Sequence, residues 1–381
     1  MKRKVAIIDP LGSHGSSHHF YLFGQLDGLS NCEVDIRIYT NNQTENPCIS
    51  RVGFYQTYGD LFSSEFKILS GIKYVLGSIK SVVHARLSGV SLFHFHIFYT
   101  NVLVLFNLLL VKFLFGKVVL TIHDVASFSS KNQLLFISKL VYKITDLILT
   151  HNQFSKSEII KIDPMLNGKI HIIPHGNYIP FINIYKDKNK SREYLSLPKE
   201  KTILLFFGMI KEVKGLDVLL KSFKKVIDIN PDTILLIAGK PWKNDFSVYQ
   251  KIIDKNNLRD NIVLHTKFIS HNDIDHYYCA SDLVVLPYKK IYQSGVLMMA
   301  LSYQRAALTS DLPPLKEFIV DNENGFLFKS EDIDDLSVRI NLILSDKKKL
   351  EIVQKNAGRL INEKFSWNEI GRLTKQAYQT L

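Results

Sequence analysis

Cysteine is scarce in this sequence, and the signatures of several protein classes are missing. The three cysteines among 381 residues form no Cys-x-x-Cys pair, which excludes a disulfide framework and favours a reducing compartment, so we expect a cytoplasmic protein. Neither a Gly-x-Ser-x-Gly elbow nor a Gly-x4-Gly-Lys-Ser/Thr loop is present, which argues against α/β-hydrolases and P-loop nucleotidases. The apolar run 102–115 contains Asn107 and Lys112 and is shorter than the roughly 20 residues that span a bilayer. The apolar stretch that follows the basic N-terminus is about four residues long, too short for a signal peptide.

Acidic residues are outnumbered by basic ones. There are 36 against 48, for a net charge of +12, and the excess is larger in the first half, which also holds ten of the thirteen histidines. This bias favours an anionic partner, such as a membrane surface, a phosphorylated substrate or a nucleic acid. No basic run is interleaved with aromatic residues and no nucleic-acid-binding motif occurs, so nucleic acid is not expected as a partner.

Metal-binding patterns are also missing. His14, His18 and His19 are close in sequence, but no carboxylate or cysteine completes a ligand set with them. The Asp-x-Asp pairs at 273–275 and 332–334 lie at expected helix starts, where acidic side chains complement the helix dipole. We therefore predict no metal and no bound cofactor.

Hydrophobic patterning predicts two α/β domains. Apolar residues make up 46% of the chain, enough for two cores. Short apolar runs alternate with helical periodicity from residue 4 to 173 and again from 202 to 328, the pattern of doubly wound parallel sheets; 41–58 is predicted to be irregular. We expect Rossmann-like domains over 1–182 and 201–365, a polar linker over 183–200, and a last helix over 366–381 that packs back on the first domain. A ligand is expected at the carboxyl ends of the strands, in a cleft between the domains.

The segment 61–87 has apolar residues at helical spacing, with Lys67, Lys73, Lys80 and Arg86 at other positions. A basic amphipathic helix of this kind can lie on an anionic bilayer. The alternative is a surface helix that packs inward on its own domain. We favour this second interpretation locally, with peripheral membrane contact as an addition to it.

The stretch 203–220 combines a predicted buried strand, Gly208, a short basic turn with Lys214, and a helix that starts near Leu216. A turn into a helix N-terminus presents free N–H groups and the positive end of the helix dipole, and this geometry binds phosphate. An ordinary strand-to-helix turn with a solvated lysine explains the segment equally well.

Several ordered motifs together resemble glycosyltransferases of the family 4 type, which have the GT-B fold. In the second half they are FFGMIKEVKGLDVLLKSF (206–223), TILLIAGK (233–240), the segment 281–319 and NENGFLF (322–328). In the first half they are TIHDV (121–125) and IIPHGNY (172–178). The resemblance implies transfer of a sugar from a nucleotide-sugar donor, a UDP- or GDP-sugar, without a bound metal and with retention at the anomeric carbon. It places the donor on the second domain and the acceptor on the first.

The resemblance also assigns roles to residues. Lys214 matches the lysine that stabilises the departing diphosphate, and His123 matches a histidine near the transferred sugar. With Asp124, the loop residues Gly12, His14 and Gly15 are the candidates for contacts with the acceptor or the donor phosphates. The donor-binding candidates are Gly208, Lys211, Lys214, Tyr292, Gln293, Ser294, Gly295, Val296 and Leu297.

Two departures from the family pattern concern the donor site. Many members carry Glu-x7-Glu, but alignment on Gly295 places Tyr292 and Ala300 at these positions. A family arginine aligns with Met209, and Lys211 is the candidate replacement for its charge. A branch with a Gln-Ser-Gly-Val-Leu pattern also lacks these glutamates, so their loss is compatible with catalysis.

Three hypotheses follow. The first is a glycosyltransferase that acts at the inner membrane surface on a glycan or lipid-linked glycan in bacterial surface polysaccharide assembly. The second, motivated by the missing glutamates, is a non-catalytic GT-B subunit that binds nucleotide or glycan and supports a partner enzyme. The third is a membrane-binding scaffold, which measurable nucleotide binding would exclude.

Overall fold

The structure, a computed structural model, describes residues 4–14, 18–63, 66–125, 135–184 and 186–381. It divides into two compact units, and the first unit extends to Gly176 and also includes Phe365–Leu381. The second unit comprises Asn177–Lys364. Among the described residues, no helix combines the length and the hydrophobicity that a membrane span requires.

The first unit is built on a parallel sheet of strands that are rich in valine, isoleucine and leucine and buried on both faces. The strand order is β3-β2-β1-β4-β5-β6-β7. The order reverses between β1 and β4, and in sheets of this type the carboxyl ends of the strands at the reversal hold the ligand. The strands are β1 (Lys4–Ile8), β2 (Asp35–Asn41), β3 (Val52–Tyr58), β4 (Leu92–Ile97), β5 (Lys117–Ile122), β6 (Leu147–Thr150) and β7 (Ile170–Ile172). Its first five helices are α1 (His18–Asn31), α2 (Lys67–Leu87), α3 (Val102–Phe113), α4 (Leu135–Ile144) and α5 (Gln153–Ile162).

Strand β3 corrects the prediction that 41–58 is irregular over its last seven residues, while 42–51 contains no helix or strand. It pairs in parallel with β2, from Ile36 opposite Val52 to Asn41 opposite Tyr58. The strand lies at the edge of the sheet and most of its residues are only half-buried, so its sequence shows neither alternation nor a continuous apolar run. The pairing with β2 creates this strand, and local sequence does not reveal it.

Helix α2 does not bury its large apolar side chains. Its buried residues are small or medium-sized: Gly77, Ser78, Ser81, Val82 and Ala85. Its exposed large apolar side chains are instead Ile68, Leu69, Ile72, Leu76, Ile79, Val83 and Leu87, with exposed fractions between 38% and 84%. The inward-packing interpretation of 61–87 is therefore wrong for these side chains, because the helix approaches the sheet through its small residues.

The second unit repeats the architecture of the first. Its parallel strands have the order β10-β9-β8-β11-β12-β13, which reverses between β8 and β11. The strands are β8 (Thr202–Phe207), β9 (Thr233–Ala238), β10 (Ile262–His265), β11 (Leu283–Leu286), β12 (Ala307–Ser310) and β13 (Phe326–Phe328). The helices are α6 (Lys188–Tyr194), α7 (Leu216–Ile229), α8 (Ser247–Lys255), α9 (His271–Ala280), α10 (Gly295–Ser302), α11 (Pro313–Lys316), α12 (Ile333–Ser345) and α13 (Lys347–Lys364).

The segment 183–200, predicted as a linker, differs from that prediction because it contains α6 and belongs to the second unit. Arg192, which is 3% exposed, anchors it. The guanidinium donates to the carbonyl of Ala280 at 3.1 Å and to Asp282 Oδ2 at 2.8 Å. The same carboxylate accepts the amide of Ile203, the second residue of β8, at 2.7 Å. A buried arginine with these partners fixes the segment to the sheet.

The last helix, α14 (Trp367–Tyr378), packs on α1 of the first unit. Two glycines make this approach possible, since a Cβ atom on Gly28 would lie 1.9 Å from the carbonyl oxygen of Trp367 and one on Gly371 would lie 2.1 Å from that of Gly28. The indole of Trp367 fills the space beside Gly24 and Gly176. Glycine therefore lets a large aromatic side chain close this end of the core.

Candidate functional site: two strand-end clusters

In the second unit, the predicted donor residues lie at the point where the strand order reverses. Gly208 follows β8, a short turn leads to α7, and the loop after β11 leads to α10. Gly215 has a φ of 69°, and a Cβ atom on it would lie 1.7 Å from the carbonyl oxygen of Pro287. Only glycine fits here, because of both the left-handed backbone and the close approach of the neighbouring loop. The two loops are therefore in direct contact.

Two further contacts hold these loops together. The amide of Lys289 donates to the carbonyl of Val213 at 2.9 Å. The ammonium of Lys289 lies 2.9 Å from Asp217 Oδ2, in the first turn of α7. This arrangement fixes the position of Lys214, which lies between Val213 and Gly215.

Lys214 and Ser294 both contact Tyr288. The Nζ atom of Lys214 lies 3.9 Å from the centroid of the Tyr288 ring, a cation–π contact. The hydroxyl of Ser294 donates to the hydroxyl of Tyr288 at 3.3 Å. Tyr288 thus connects a cation to the N-cap of α10.

Helix α10 begins as a capped helix N-terminus. Ser294 is the N-cap, and its Oγ accepts the amide of Leu297 at 3.1 Å. The amides of Gly295 and Val296 precede the capped one and belong to the group that a helix leaves unpaired. A Cβ atom on Gly295 would lie 3.0 Å from the hydroxyl of Tyr178, so a side chain there would crowd this end of the helix. The combination of unpaired amides, helix dipole and nearby ammonium is suited to a diphosphate.

The remaining donor candidates lie around this helix start. The amide nitrogen Nε2 of Gln293 is buried and has no hydrogen-bond partner among the described residues. A ligand that supplies an acceptor to such an unpaired buried donor would remove its desolvation penalty. Tyr292 is buried, with 4% exposed. The Nζ atom of Lys211 lies over the Trp242 ring, 4.7 Å from its centroid, and Met209 is 44% exposed.

In the first unit, the loop after β1 is held by Asp9. Its Oδ1 atom accepts the amides of Leu11 at 2.9 Å and Gly12 at 3.1 Å, and its Oδ2 atom lies 2.6 Å from His18 Nε2. Burial alone would raise the pKa of Asp9, but His18 and the two amides lower it overall, so the carboxylate is ionised. Gly12 has a φ of 47°.

Of the other two predicted loop residues, the structure describes His14 but not Gly15. The ring of His14 stacks on Phe62 with centroids 3.7 Å apart, and its Nδ1 atom lies 2.9 Å from Gln43 Oε1. Gly15 lies outside the described residues. The acceptor role of this loop stays a prediction.

His123 lies at the end of β5 in a chain of three histidine rings. Its Nε2 atom lies 3.3 Å from His96 Nδ1, and its Nδ1 atom lies 3.1 Å from His151 Nε2. The residue is 6% exposed, so a contact from a ring nitrogen to a sugar would require one of these bonds to break. Asp124, which follows it, is half-buried.

The direction of this histidine chain follows from its last partner. His151 Nδ1 lies 3.0 Å from the carbonyl oxygen of Ile173, which only accepts hydrogen bonds. In neutral rings His151 Nε2 therefore accepts from His123 Nδ1, and His123 Nε2 accepts from His96 Nδ1. Burial lowers the pKa of His151 to about 4 and those of His96 and His123 well below the usual value, which keeps all three rings neutral at pH 7.

Sequence reasoning did not single out Asp9, His96, His151 or Tyr288. Each lies at or just after the carboxyl end of a strand, where parallel sheets collect functional side chains. The available signal was the recurrence of histidine at or shortly after the ends of four successive strands, β4 to β7, where His96, His123, His151 and His175 stand. Among the described residues, no group of three or more histidine, cysteine or acidic side chains is arranged to hold a metal ion.

Comparison with known proteins shows that most of the second unit is similar to one protein family. Residues 187–359 match the model of the family described as glycosyl transferases group 1. Lipopolysaccharide 1,2-N-acetylglucosaminetransferase from Salmonella typhimurium is 27% identical over 212 residues, which cover 53% of this chain and 54% of that protein. The chain thus matches about half the length of this relative.

Solved structures show the same fold over the full chain. Sucrose-phosphate synthase from Thermosynechococcus elongatus superposes with a TM-score of 0.77 at 17% identity, over 100% of this chain and 99% of that one. HepE from Anabaena, solved in complex with UDP, superposes with a TM-score of 0.76 at 16% identity, over 100% of both chains. These matches confirm two Rossmann-like parallel-sheet domains. Residues 187–359 are therefore similar to the group 1 glycosyl transferases, and the chain as a whole has the GT-B fold.

Proposed function

We propose that this chain transfers a sugar from a nucleotide-sugar donor to a glycan or a lipid-linked glycan in bacterial surface polysaccharide assembly. The donor is a UDP- or GDP-sugar, no metal takes part, and the anomeric configuration is retained, as in family 4. Support comes from the similarity to the group 1 glycosyl transferases, from the similarity to a lipopolysaccharide sugar transferase and from the fold shared with a UDP-binding protein.

The observation that carries this proposal is the arrangement of Lys214, Tyr288 and the start of α10. A cation lies over the face of the Tyr288 ring, and the N-cap serine of α10 donates to the hydroxyl of the same tyrosine. As the glycosidic bond breaks, negative charge develops on the departing diphosphate. Fixed positive groups stabilise that charge more in the transition state than in the ground state.

The donor sugar itself contacts other residues in this proposal. Gln293 Nε2, buried without a partner among the described residues, donates to a sugar hydroxyl or a phosphate oxygen. Tyr292 replaces a family glutamate and offers a phenol instead of a carboxylate. Catalysis then relies on positioning and on electrostatic stabilisation by the diphosphate site.

The first experiment is a thermal-shift screen of UDP, GDP and their sugars, followed by calorimetry. A nucleotide at a hundred times its dissociation constant stabilises the protein by about 2.7 kcal/mol. Transfer is then measured with the stabilising donor in the presence and absence of EDTA, and the anomeric proton of the product is assigned by NMR. Nucleotide binding without turnover on any donor or acceptor would instead favour the non-catalytic subunit, and the absence of any nucleotide binding would contradict the proposal.

We also propose that α2 places the protein on an anionic bilayer. Seven large apolar side chains of this helix are exposed, and Lys67 and Lys80 are exposed on the same helix. Such a helix gains from both apolar burial and attraction to anionic lipids. Sedimentation with phosphatidylglycerol vesicles is expected for the wild type, and loss of binding in an Ile72→Glu/Leu76→Glu variant. Equal binding to neutral phosphatidylcholine vesicles would contradict the electrostatic part of the proposal.

A further inference from the structure

The first unit contains a cavity of about 510 Å³ under the N-terminal half of α2. From α2 it is lined by Lys67, Ser70, Gly71 and Tyr74, which share one helix face. Further along the helix, the same face is buried against the unit. The second half of α2 thus packs on the unit, while the first half covers the cavity.

The walls of the cavity are largely apolar. They include Leu61, Phe62 and Phe98, together with Leu103 and Val104 of α3. The exposed apolar side chains of α2 lie on the same helical turns as the residues that line the cavity. The exposed apolar side chains and the cavity therefore adjoin the same stretch of α2.

Two polar residues from neighbouring strand ends, Asp9 and His96, also line the cavity. Asp9 follows β1, and His96 is the penultimate residue of β4. The strand order reverses between these two strands. Both carboxylate oxygens of Asp9 already accept hydrogen bonds from the protein. The Nε2 atom of His96 is buried and has no hydrogen-bond partner among the described residues.

The histidine chain determines what His96 Nε2 offers. Because the carbonyl of Ile173 requires a proton on His151 Nδ1, the neutral chain places the His96 proton on Nδ1. Nε2 then carries a lone pair and accepts hydrogen bonds only. A hydroxyl that reaches this atom satisfies a buried acceptor that the described residues leave unsatisfied.

Building on the function proposed above, we propose that this cavity binds the acceptor as an amphiphile. Its apolar chain lies between α2 and α3, and one of its hydroxyl groups donates to His96 Nε2. His123 and His151 are positioning residues that fix the tautomer of His96. The acceptor class is therefore a hydroxylated lipid or a lipid-linked sugar and not a free glycan.

The test is calorimetric binding of octyl β-D-glucoside below its micelle concentration, with methyl β-D-glucoside as the ligand without a chain. We expect the octyl ligand to bind at least tenfold more tightly. A Cβ atom on Gly71 has no neighbour within 4 Å, so Gly71→Phe can project into the cavity without a backbone clash. Gly71→Phe should abolish octyl glucoside binding, and the matched Gly71→Ala variant should keep it. Binding that survives in Gly71→Phe would place the ligand on the outer surface of α2 and overturn the proposal.

The hydroxyl contact is tested at His96. His96→Phe keeps an aromatic ring but removes the acceptor, and we expect it to weaken octyl glucoside binding roughly three- to tenfold. Nitrogen-15 NMR of the imidazoles should show protonated Nδ1 and bare Nε2 in His96 of the wild type, with this preference lost in His151→Phe. A proton on His96 Nε2 in the wild type, or unchanged affinity in His96→Phe, would overturn the assignment.

UDP binding to the same variants separates this inference from the proposed transferase function. All the substituted residues belong to the first unit, so UDP affinity should stay unchanged. If UDP binds and octyl glucoside does not, the cavity assignment fails while the transferase proposal stands. If octyl glucoside binds with the expected variant pattern and UDP does not, the cavity assignment stands and the donor proposal fails.

Discussion

The ammonium of Lys214 lies 3.9 Å from the centroid of the Tyr288 ring, on a tyrosine whose hydroxyl contacts the N-cap of α10. A flexible lysine on an exposed turn would sample many rotamers. The ring instead holds this charge close to the helix start before any anion arrives. Less side-chain entropy is then lost when a diphosphate binds.

Replacement of this lysine is the first prediction. Lys214→Ala should cost about 2–4 kcal/mol of transition-state stabilisation, because removal of a fixed group at a developing charge costs this much in other enzymes. It is measured as kcat/KM with the donor identified by thermal shift. Lys221→Ala, on the exposed face of α7, is the matched control and should behave as wild type. Wild-type turnover in Lys214→Ala would contradict the role of Lys214 in the donor site.

Substitutions at the N-cap Ser294 distinguish the effect of charge on nucleotide binding from the effect of the cap on protein stability. Ser294→Asp keeps a good N-cap, so the melting temperature should stay close to that of the wild type. The added carboxylate occupies the place where the diphosphate is proposed to bind, and repulsion should weaken UDP binding at least tenfold.

Ser294→Ala is the complementary variant, because it removes the cap without adding a charge. It removes the acceptor of the Leu297 amide and should cost about 1 kcal/mol of stability. UDP affinity is measured by calorimetry in both variants. Undiminished affinity in Ser294→Asp would mean that no anion binds at this helix start.

Much of the fold is readable from the sequence because the strands are buried on both faces. The apolar run 203–207 lies within β8, and β6, β9 and β11 are likewise short, nearly continuous apolar runs in the sequence. Such strands need no alternating pattern, since every side chain is inside. The edge strand β3 escaped detection because its formation depends on its neighbour.

The candidate sites were readable to different degrees. Lys214 and Ser294 each lie within a continuous motif, 206–223 and 281–319, so the resemblance to the family could identify them locally. The partners that orient them could not, because Tyr288 and Lys289 act through contacts across two loops. The histidine chain depends on register between β4, β5 and β6, which brings distant residues within hydrogen-bonding distance. Sequence shows the histidines, but only the sheet shows that they touch.

The contact of α14 with α1 gives a third prediction. Trp367 is 4% exposed and fills the space beside Gly24 and Gly176, so Trp367→Ala should cost about 3–5 kcal/mol in the first unit. Gly24→Ala should also destabilise this unit, since its Cβ would lie 2.0 Å from the indole.

Urea unfolding monitored by circular dichroism measures both changes. Gly71→Ala is the control, because its added methyl group has no neighbour within 4 Å on the same unit. It should be neutral or slightly stabilising in the helix. Equal stability of Trp367→Ala and the wild type would mean that α14 contributes nothing to the first unit.

A fourth prediction concerns pH and the buried histidines. Burial lowers the pKa of His94 from 6.5 to about 3, and its ring lies between the hydroxyls of Tyr378 and Thr121. Above about pH 7 the residue is neutral in both the folded and unfolded states and has no effect on the pH dependence. Below pH 6.5 the unfolded chain takes up a proton that the folded state does not. The free energy of unfolding should therefore fall by about 1.4 kcal/mol per pH unit for this residue as pH decreases towards the folded-state pKa.

The variant His94→Gln isolates this contribution. Glutamine offers a donor and an acceptor to the same two hydroxyls but does not titrate. The free energy of unfolding of the variant should therefore lose the pH dependence that comes from protonation of this one residue between pH 6.5 and 5. The chain has two tryptophans, and in a Trp242→Phe background the fluorescence of Trp367 reports on the first unit alone. Urea unfolding across this pH range should then give a slope smaller by about 1.4 kcal/mol per pH unit in His94→Gln. An unchanged slope would mean that His94 is protonated to the same extent in the folded and unfolded states, which its burial opposes.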